Sequence, residues 1–406
     1  MVILGGGFAG LAAARALKGA PCRVTLVDRQ NHHCFQPLLY QAATAALTAN
    51  DVAWPIREIL GRQADLDILM DEVEGLDPEA RQVRLSGGTL NYDRLIVATG
   101  ASHDYFGHDE WAAHAPGLKT INDAIHIRSR LLRAFERAEA SRDEAERAAL
   151  TTFVVVGGGP TGVEMAGAIS DLARGALSRD FRHVAPEKAR VILAEAAPRI
   201  LSGFPEPLSR YAARALERRG VEVRLDAAVK SVKAGEIQIG EDTLRVGAVV
   251  WAAGVRASPA ADWLGIEGDK AGRIAVGPDL ALPGRPEIFI IGDLASACDA
   301  RGQRPPGLAP AAKQMGDHVG ARLKAEFSGR PKPSSFVYRH QGDLATIGRR
   351  AAIVRRGGWS ITGYPAWAFW SLAHIYFLVG ARNRLAVAAT WAWNYLTFTR
   401  RARLIT

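Results

Sequence analysis

The sequence predicts an α/β protein built from two Rossmann-like dinucleotide-binding domains, the second inserted in the first, with a helical segment at the C-terminus. Three observations predict it. Two glycine fingerprints, Gly5-Gly6-Gly7-Phe8-Ala9-Gly10 and Gly157-Gly158-Gly159-Pro160-Thr161-Gly162, each stand between an apolar run of strand type and a helix-like stretch. Each is followed by a strand that closes on a carboxylate, Asp28 after residues 23–27 and Glu195 after residues 190–194. A later strand, 288–291, ends in Gly292-Asp293 and returns the chain to the first domain.

Each element follows from its residues. Val2-Ile3-Leu4 and Phe153-Val154-Val155-Val156 are short, fully apolar runs of the kind buried on both faces of a parallel sheet. The glycines allow a tight turn and close backbone approach, so that the next helix points its N-terminus at a pyrophosphate. Residues 92–101 and 249–255 repeat a strand-to-glycine ending, which implies an internal duplication of nucleotide folds. Residues 122–149, rich in Arg and Glu at three- and four-residue spacing, predict a solvated helix. A helix is expected from about Pro310 to Phe327, a linker at 329–335, and a short β stretch around Thr346-Ile347-Gly348.

Composition excludes several classes. Cys22, Cys34 and Cys298 are too few and too scattered for a disulfide framework or a zinc site, and no CxxC pair offers a dithiol relay. No metal constellation stands out. Met1 leads straight into the first strand, without a basic region or an apolar leader. The formal charge of +9 is unevenly placed. Nine arginines lie beyond Asp343, the last acidic residue; 51 less nine leaves 42 basic residues against 42 acidic ones before that point.

Asp28 lies 18 residues past Gly10, where a carboxylate can accept hydrogen bonds from an adenosine ribose diol or, alternatively, cap the following turn. Glu195 repeats the device 33 residues past Gly162, an interval that places an insertion at 172–188. Glu195 would repel a 2′-phosphate, favouring NADH, while nearby Arg199 leaves NADPH open. Two dinucleotides in one chain point to a flavin that takes electrons from a nicotinamide.

In GGGFAGL (5–11), NHHCFQPLLYQAATAAL (31–47), YDRLIVATGA (92–101), GGGPTGVEMAG (157–167), VVWAAGV (249–255), IFIIGDLA (288–295), PGLAPAAKQMG (306–316), ATIGRRAAI (345–353) and HIYFLVGARNRL (374–385), the chain resembles the type II NADH dehydrogenases. These are single-subunit NADH:quinone oxidoreductases with a glutathione-reductase-like fold. The PLLYQ and RNRL segments are the more specific marks. The resemblance implies FAD at the first fingerprint and NADH at the second. It places FAD contacts at Gly5, Gly7, Phe8, Ala9, Gly10, Asp28, Arg29, Gln36, Val73, Ala98, Thr99, Gly100, Gly292, Asp293, Ala309 and Ala312. It places NADH contacts at Gly157, Gly159, Pro160, Thr161, Gly162, Glu195, Ala253 and Gly254. Asp293 would hold the flavin ribityl chain or else cap the following helix. The implied domains are 1–112 with 255–328 for FAD, 113–254 for NADH, and 329–406 for a C-terminal membrane-associating region.

Glu164 and Gln314 are the catalytic candidates. Glu164 would serve in proton delivery, with the helix N-terminus favouring its ionised form, or else pair with the dipole or the nicotinamide amide. Gln314 would orient a quinone carbonyl or cap local backbone. The family's quinone motif carries further glutamines where this chain has Pro310 and Met315, and Cys34 stands where an apolar residue is usual.

The tail carries five of the nine tryptophans, 359, 367, 370, 391 and 393. Its apolar run 366–379 is too short for a bilayer, which needs ~20 helical residues. Gly380, Arg382 and Arg384 end it, and an amphiphilic stretch follows at 385–398. Tryptophan and arginine suit a headgroup boundary, so an in-plane anchor on a membrane surface is expected, or a hairpin packed on its own globule or forming a homodimer contact; both can hold together. Arginines interleaved with apolar runs do not suit nucleic acid. The expected place is the cytoplasmic face of a bacterial inner membrane, with a membrane quinone as acceptor and no proton pumping. A soluble NADH oxidase or peroxidase using Cys34, and a non-catalytic NADH-binding redox sensor, are the competing readings.

Overall fold

The computed structural model describes residues 1–61, 63–333, 335–397, 400 and 402–405. Ser334, Phe398 and Arg401, which belong to the expected linker, amphiphilic stretch and arginine cluster, lie outside the described residues. The chain forms two compact units, the first being Met1–His33, Trp54–Ser102 and Val255–Gln341, and the second Cys34–Ala53, His103–Gly254 and Gly342–Thr406.

The first unit is built on a six-stranded sheet in the order Ala281–Leu282, Arg285–Ile290, Leu95–Val97, Val2–Leu4, Val24–Asp28, Leu66–Met70. All neighbours are parallel except the edge pair of Ala281–Leu282 with Arg285–Ile290. The helix Phe8–Ala16 follows the first strand and packs on the helix Ala309–Phe327. Small residues set that approach: a Cβ on Gly316 would stand 2.1 Å from the Ala9 carbonyl oxygen. The expected helix at Pro310–Phe327 begins one residue earlier.

The second unit has a four-stranded parallel sheet, Val221–Arg224, Arg190–Ala194, Thr152–Val156, Ala248–Trp251. The solvated helix expected at 122–149 is two helices, Ile121–Ala140 and Glu144–Leu150. The longer one buries a stripe that includes Ala124, Ile127, Leu131 and Phe135, because the aliphatic residues between its charges recur on one face. The expected insertion at 172–188 starts with a π-helical turn, Leu172–Ala176, and ends in a 3-10 turn, Pro186–Lys188.

The expected β stretch is the strand Asp343–Gly348, paired antiparallel with Ala351–Arg356, which pairs in turn with Trp359–Thr362. Two helices follow, Gly363–Phe377 and Ala381–Thr397, separated at Gly380 with φ +82°. One side of this hairpin packs on its own unit through polar anchors. Trp391 Nε1 donates to Gln41 Oε1 at 2.7 Å, Asn394 Nδ2 to the Ala46 carbonyl at 2.9 Å, and Arg400 to the Thr44 carbonyl at 2.6 Å. Trp370 stacks on Trp391 with centroids 5.6 Å apart. The other side is apolar and open, with Leu372, Tyr376, Leu385 and Leu396 each at least 69% exposed. No described helix is long and apolar enough to cross a membrane.

Candidate active site and its two glycine loops

The first loop is held by close contacts around Gly5 and Gly10. A Cβ on Gly10 would lie 1.8 Å from the Gly5 carbonyl oxygen, and Gly5, at φ +99°, would meet the Ala98 carbonyl oxygen at 2.4 Å. Only glycine lets the helix start settle onto the strand end here. Gly7 faces open space, and Phe8 and Ala9 begin the helix. Asp28 both ends its strand and fastens the loop: Oδ2 accepts the Gly6 N–H at 2.6 Å and Oδ1 the Gln30 N–H at 2.7 Å. Arg29 is exposed, and Val73 opens the strand Val73–Asp77.

The other strand ends of this unit contribute Ala98, Thr99 and Gly100. Thr99 Oγ1 lies 2.5 Å from Ser258 Oγ, and the Gly100 carbonyl accepts the Ser258 N–H at 3.0 Å. Asp293 makes no intramolecular hydrogen bond among the described residues, and the helix Ala309–Phe327 is capped by Leu308 without a side-chain bond. Asp293 therefore does not cap that helix. Gly292 lies beside Ala9 and Ala312, and its N–H donates to Met315 Sδ at 3.3 Å. Met315, a departure from the expected glutamine, is thus a buried backbone acceptor, and Pro310 sits in the first helical turn, where a missing N–H costs nothing.

The second loop repeats the first in its own unit. A Cβ on Gly162 would lie 1.8 Å from the Gly157 carbonyl oxygen, and Gly159 faces open space. Pro160 opens the helix Pro160–Asp171, and Thr161 is exposed. Glu195 Oε2 accepts the Gly158 N–H at 2.5 Å and Oε1 the Ala197 N–H at 2.7 Å. Arg199 spends its guanidinium on the carbonyls of Phe204, at 2.8 Å, and Ser202, at 2.7 Å. Ala253 and Gly254 follow the buried strand Ala248–Trp251. Gln36 also lies in this unit, on the 3-10 turn Gln36–Leu38, with Nε2 donating to the Lys119 carbonyl at 3.3 Å.

In both units the loop offers open space over its third glycine, a helix N-terminus and a carboxylate with lone pairs to spare. This fits a dinucleotide with a diphosphate and a ribose diol. No group of three or more His, Cys, Asp or Glu among the described residues could hold a metal ion.

Glu164 sits on the Pro160–Asp171 helix, packed against the helix Leu39–Ala43 and the strand Asp343–Gly348. Burial pushes its carboxyl up to about 8, opposed by the N–H of Thr346, which donates to Oε1 at 3.3 Å. The ionised form expected from the helix dipole is therefore corrected. Glu164 is the fifth residue of the helix, past the first turn in which the dipole acts, and desolvation wins. Beside it, Tyr40 Oη accepts Gln41 Nε2 at 2.9 Å, joining the Trp391 anchor to this pocket.

Gln314 uses both ends of its amide on one backbone residue: Nε2 donates to the Arg339 carbonyl at 3.0 Å and Oε1 accepts the Arg339 N–H at 2.9 Å. It is a backbone clamp in this state. Cys34 is a free thiol whose pKa burial pushes up to about 12, with Asp123 adding to the shift. The nucleophile and redox partner is the thiolate, and burial at this site disfavours it.

Sequence reasoning gave no site role to His33, Ser258, Thr346 and Trp391. Their partners, Gly6, Thr99, Glu164 and Gln41, each lie in the same unit but far away in sequence, and only the PLLYQ motif hinted at the Tyr40–Gln41 pair.

The chain matches the pyridine nucleotide-disulphide oxidoreductase family over residues 1–316, and it belongs to that family. Two relatives from Mycobacterium tuberculosis narrow the placement. The type II NADH:quinone oxidoreductase NdhA is 44% identical over 99% of this chain and 88% of its own length, and the type II NADH:quinone oxidoreductase Ndh is 40% identical over 100% and 89%. Within the larger family the chain is a member of the type II NADH:quinone oxidoreductases. The fold agrees: NDH2 from Plasmodium falciparum, solved in complex with NADH, superposes with a TM-score of 0.90 at 19% identity, covering 100% of this chain and 99% of that one.

Proposed function

We propose that this chain is an FAD-dependent NADH:quinone oxidoreductase, bound to the surface of a membrane at the cytoplasmic face of a bacterial inner membrane and not pumping protons. The observation that carries the reading is the duplicated loop, glycine cradle plus carboxylate, in a chain that belongs to the type II family. Bound FAD would supply the redox chemistry, taking a hydride from NADH and passing two electrons to a quinone.

The chain's own residues would bind, orient and hold a proton. The first unit would take FAD, with Asp28 at the ribose, the Gly5–Gly10 loop at the diphosphate, and Thr99, Gly100 and the Asp293 carboxylate along the rest. The second unit would take NADH. Glu195 sets a negative charge where NADPH carries its extra phosphate, and the nearby arginine that could rescue NADPH, Arg199, is tied to backbone carbonyls. Glu164 keeps its proton on the carboxyl at neutral pH and is the donor for the quinol. Gln314 holds the 339 segment and meets a quinone only by releasing it. The open apolar face of the terminal hairpin, around Leu372, Tyr376, Leu385 and Leu396, supports seating on lipid, with a homodimer through the same face as the competing outcome.

Turnover with NADH against NADPH, using a short-chain quinone and flavin-loaded protein, tests the reading. FAD as the bound flavin and NADH as the preferred donor are expected. A protein that binds FMN, favours NADPH or turns over no quinone overturns it.

A further inference from the structure

We infer that His33 is a positioning residue for the flavin dinucleotide, a side-chain latch that holds the Gly5–Gly10 loop in its binding shape. This rests on the FAD reading of the first unit. Gly6 is held on both sides by side chains. Its N–H goes to Asp28 Oδ2 at 2.6 Å, and its carbonyl meets His33 Nδ1 at 3.1 Å. The ring is 4% exposed and stands edge-on to Phe8, the first helical residue, with centroids 4.8 Å apart.

The second loop shows what the latch replaces. There the Gly158 N–H goes to Glu195, as expected from the first loop, but its carbonyl accepts the backbone N–H of Leu201 at 2.7 Å. The residue corresponding to Phe8 is Pro160, whose ring fixes φ at the helix start. One loop is stiffened by its own backbone. The other depends on an imidazole donor and an aromatic contact 27 positions down the chain from Gly6.

The chemistry of the ring fits the task. Burial lowers the His33 pKa to about 4, a shift that the Gly6 carbonyl opposes. The ring is therefore neutral at working pH, and a neutral imidazole can bond a carbonyl only through its protonated nitrogen, which fixes the proton on Nδ1. Removing that donor leaves the buried Gly6 carbonyl without its side-chain partner and frees the loop that a diphosphate must find already formed.

Two variants separate donation from packing. H33F keeps a ring against Phe8 and loses the N–H; H33N keeps a donor and loses the ring. FAD affinity is measured by titrating flavin-free protein, and hydrogen exchange at the Gly6–Phe8 and Gly158–Pro160 loops is followed in the same flavin-free samples. H33F is expected to bind FAD about tenfold more weakly, the size of one lost hydrogen bond, and to exchange faster at the first loop only. H33N is expected to stay within about threefold of wild type. H33F binding as wild type does, or H33N falling as far as H33F, overturns the latch. Should wild-type protein fail to take FAD at all, the flavin reading falls, and the exchange data still decide: equal rates in H33F and wild type overturn the latch, and faster first-loop exchange upholds it.

Discussion

The two glycine loops make the same turn with different supports, and the difference shows where a fold stores rigidity. In both, a Cβ on the last glycine would fall 1.8 Å from the loop's first carbonyl oxygen, and both hand a carboxylate the second glycine's N–H. They part at the carbonyl of that second glycine, which meets a histidine ring in one and a backbone amide in the other. A backbone support is insensitive to point substitution; a side-chain support can be cut by one. The first loop should accordingly be the more fragile under side-chain mutation, while both should fail alike when the shared glycine is filled.

Filling that glycine has the largest expected effect. In Gly10→Ala and Gly162→Ala the new methyl meets backbone, which cannot swing aside, and overpacking of this kind costs about 2–3 kcal/mol, or about 30- to 150-fold in affinity. Gly10→Ala should lose FAD while Gly162→Ala keeps it and raises KM for NADH. Flavin content per protein and NADH kinetics read the split. Loss of FAD in both variants would mean that the loops do not divide the two nucleotides as proposed.

Next in size is donor choice. Glu195→Gln keeps an oxygen for the Gly158 N–H and removes the charge, so it should narrow the preference for NADH over NADPH by about 10- to 100-fold, given a repulsion of a few kcal/mol between close charges in a half-exposed site. The ratio of kcat/KM values for the two donors measures it. An unchanged ratio would move the discrimination elsewhere.

How much of this was legible in the sequence depends on the range of the partner. Asp28 and Glu195 were readable as acceptors because strand, acid and glycine follow in order along the chain. Their second role, fastening Gly6 and Gly158, appears only when strand and loop meet. Glu164 misled for the same reason: the helix that suggested an ionised carboxylate is local, whereas the strand Asp343–Gly348 that helps to desolvate it lies 179 or more positions away. The tail's apolar character was plain, but its anchoring by Trp391, Asn394 and Arg400 to the segment 41–46 was not, because tryptophan and asparagine carry no sequence mark of their partners.

Glu164 gives a pH test. Its carboxyl is raised from the ordinary 4.5 to about 8, so the folded state holds a proton that the unfolded chain releases. Its contribution to stability is full below about 4.5 and is lost as pH rises through 8. Thermal melts of wild type should thus decline across that window relative to Glu164→Gln, which does not titrate. If the carboxyl also supplies the quinol proton, quinone turnover should fall above pH 8 in wild type, and Glu164→Gln should be slower with that limb flattened. Parallel pH profiles in the two proteins would remove Glu164 from both roles.

Membrane seating should respond to charge on the open face of the hairpin more cleanly than to truncation, since the opposite side packs on the globule. Leu385→Glu with Leu396→Glu, at residues 73% and 75% exposed, should leave the fold intact and lower binding to anionic liposomes. Each exposed leucine that moves into the interface contributes about 1.5–3 kcal/mol when fully buried, so the pair should weaken binding by about 100-fold or more. Undiminished liposome binding, with the variant changed instead in sedimentation, would assign the face to a homodimer.

The smallest expected effect belongs to the residue beside the latch. Cys34→Ser removes a sulfur whose thiol stays protonated, with a pKa near 12, and no cysteine stands close in sequence to form a dithiol with it. If His33 acts by its own hydrogen bond, its neighbour's substitution should leave FAD affinity unchanged, and if no thiol chemistry operates, NADH:quinone turnover should stay within about twofold, the size of a small surface-type perturbation. This makes Cys34→Ser the control that sharpens the loop comparison, because it perturbs the same short segment without touching the Gly6 carbonyl. A marked loss of turnover with FAD still bound would return a thiol to the mechanism. A loss of FAD instead would mean that the whole 32–34 strand, and not the His33 donor, holds the loop.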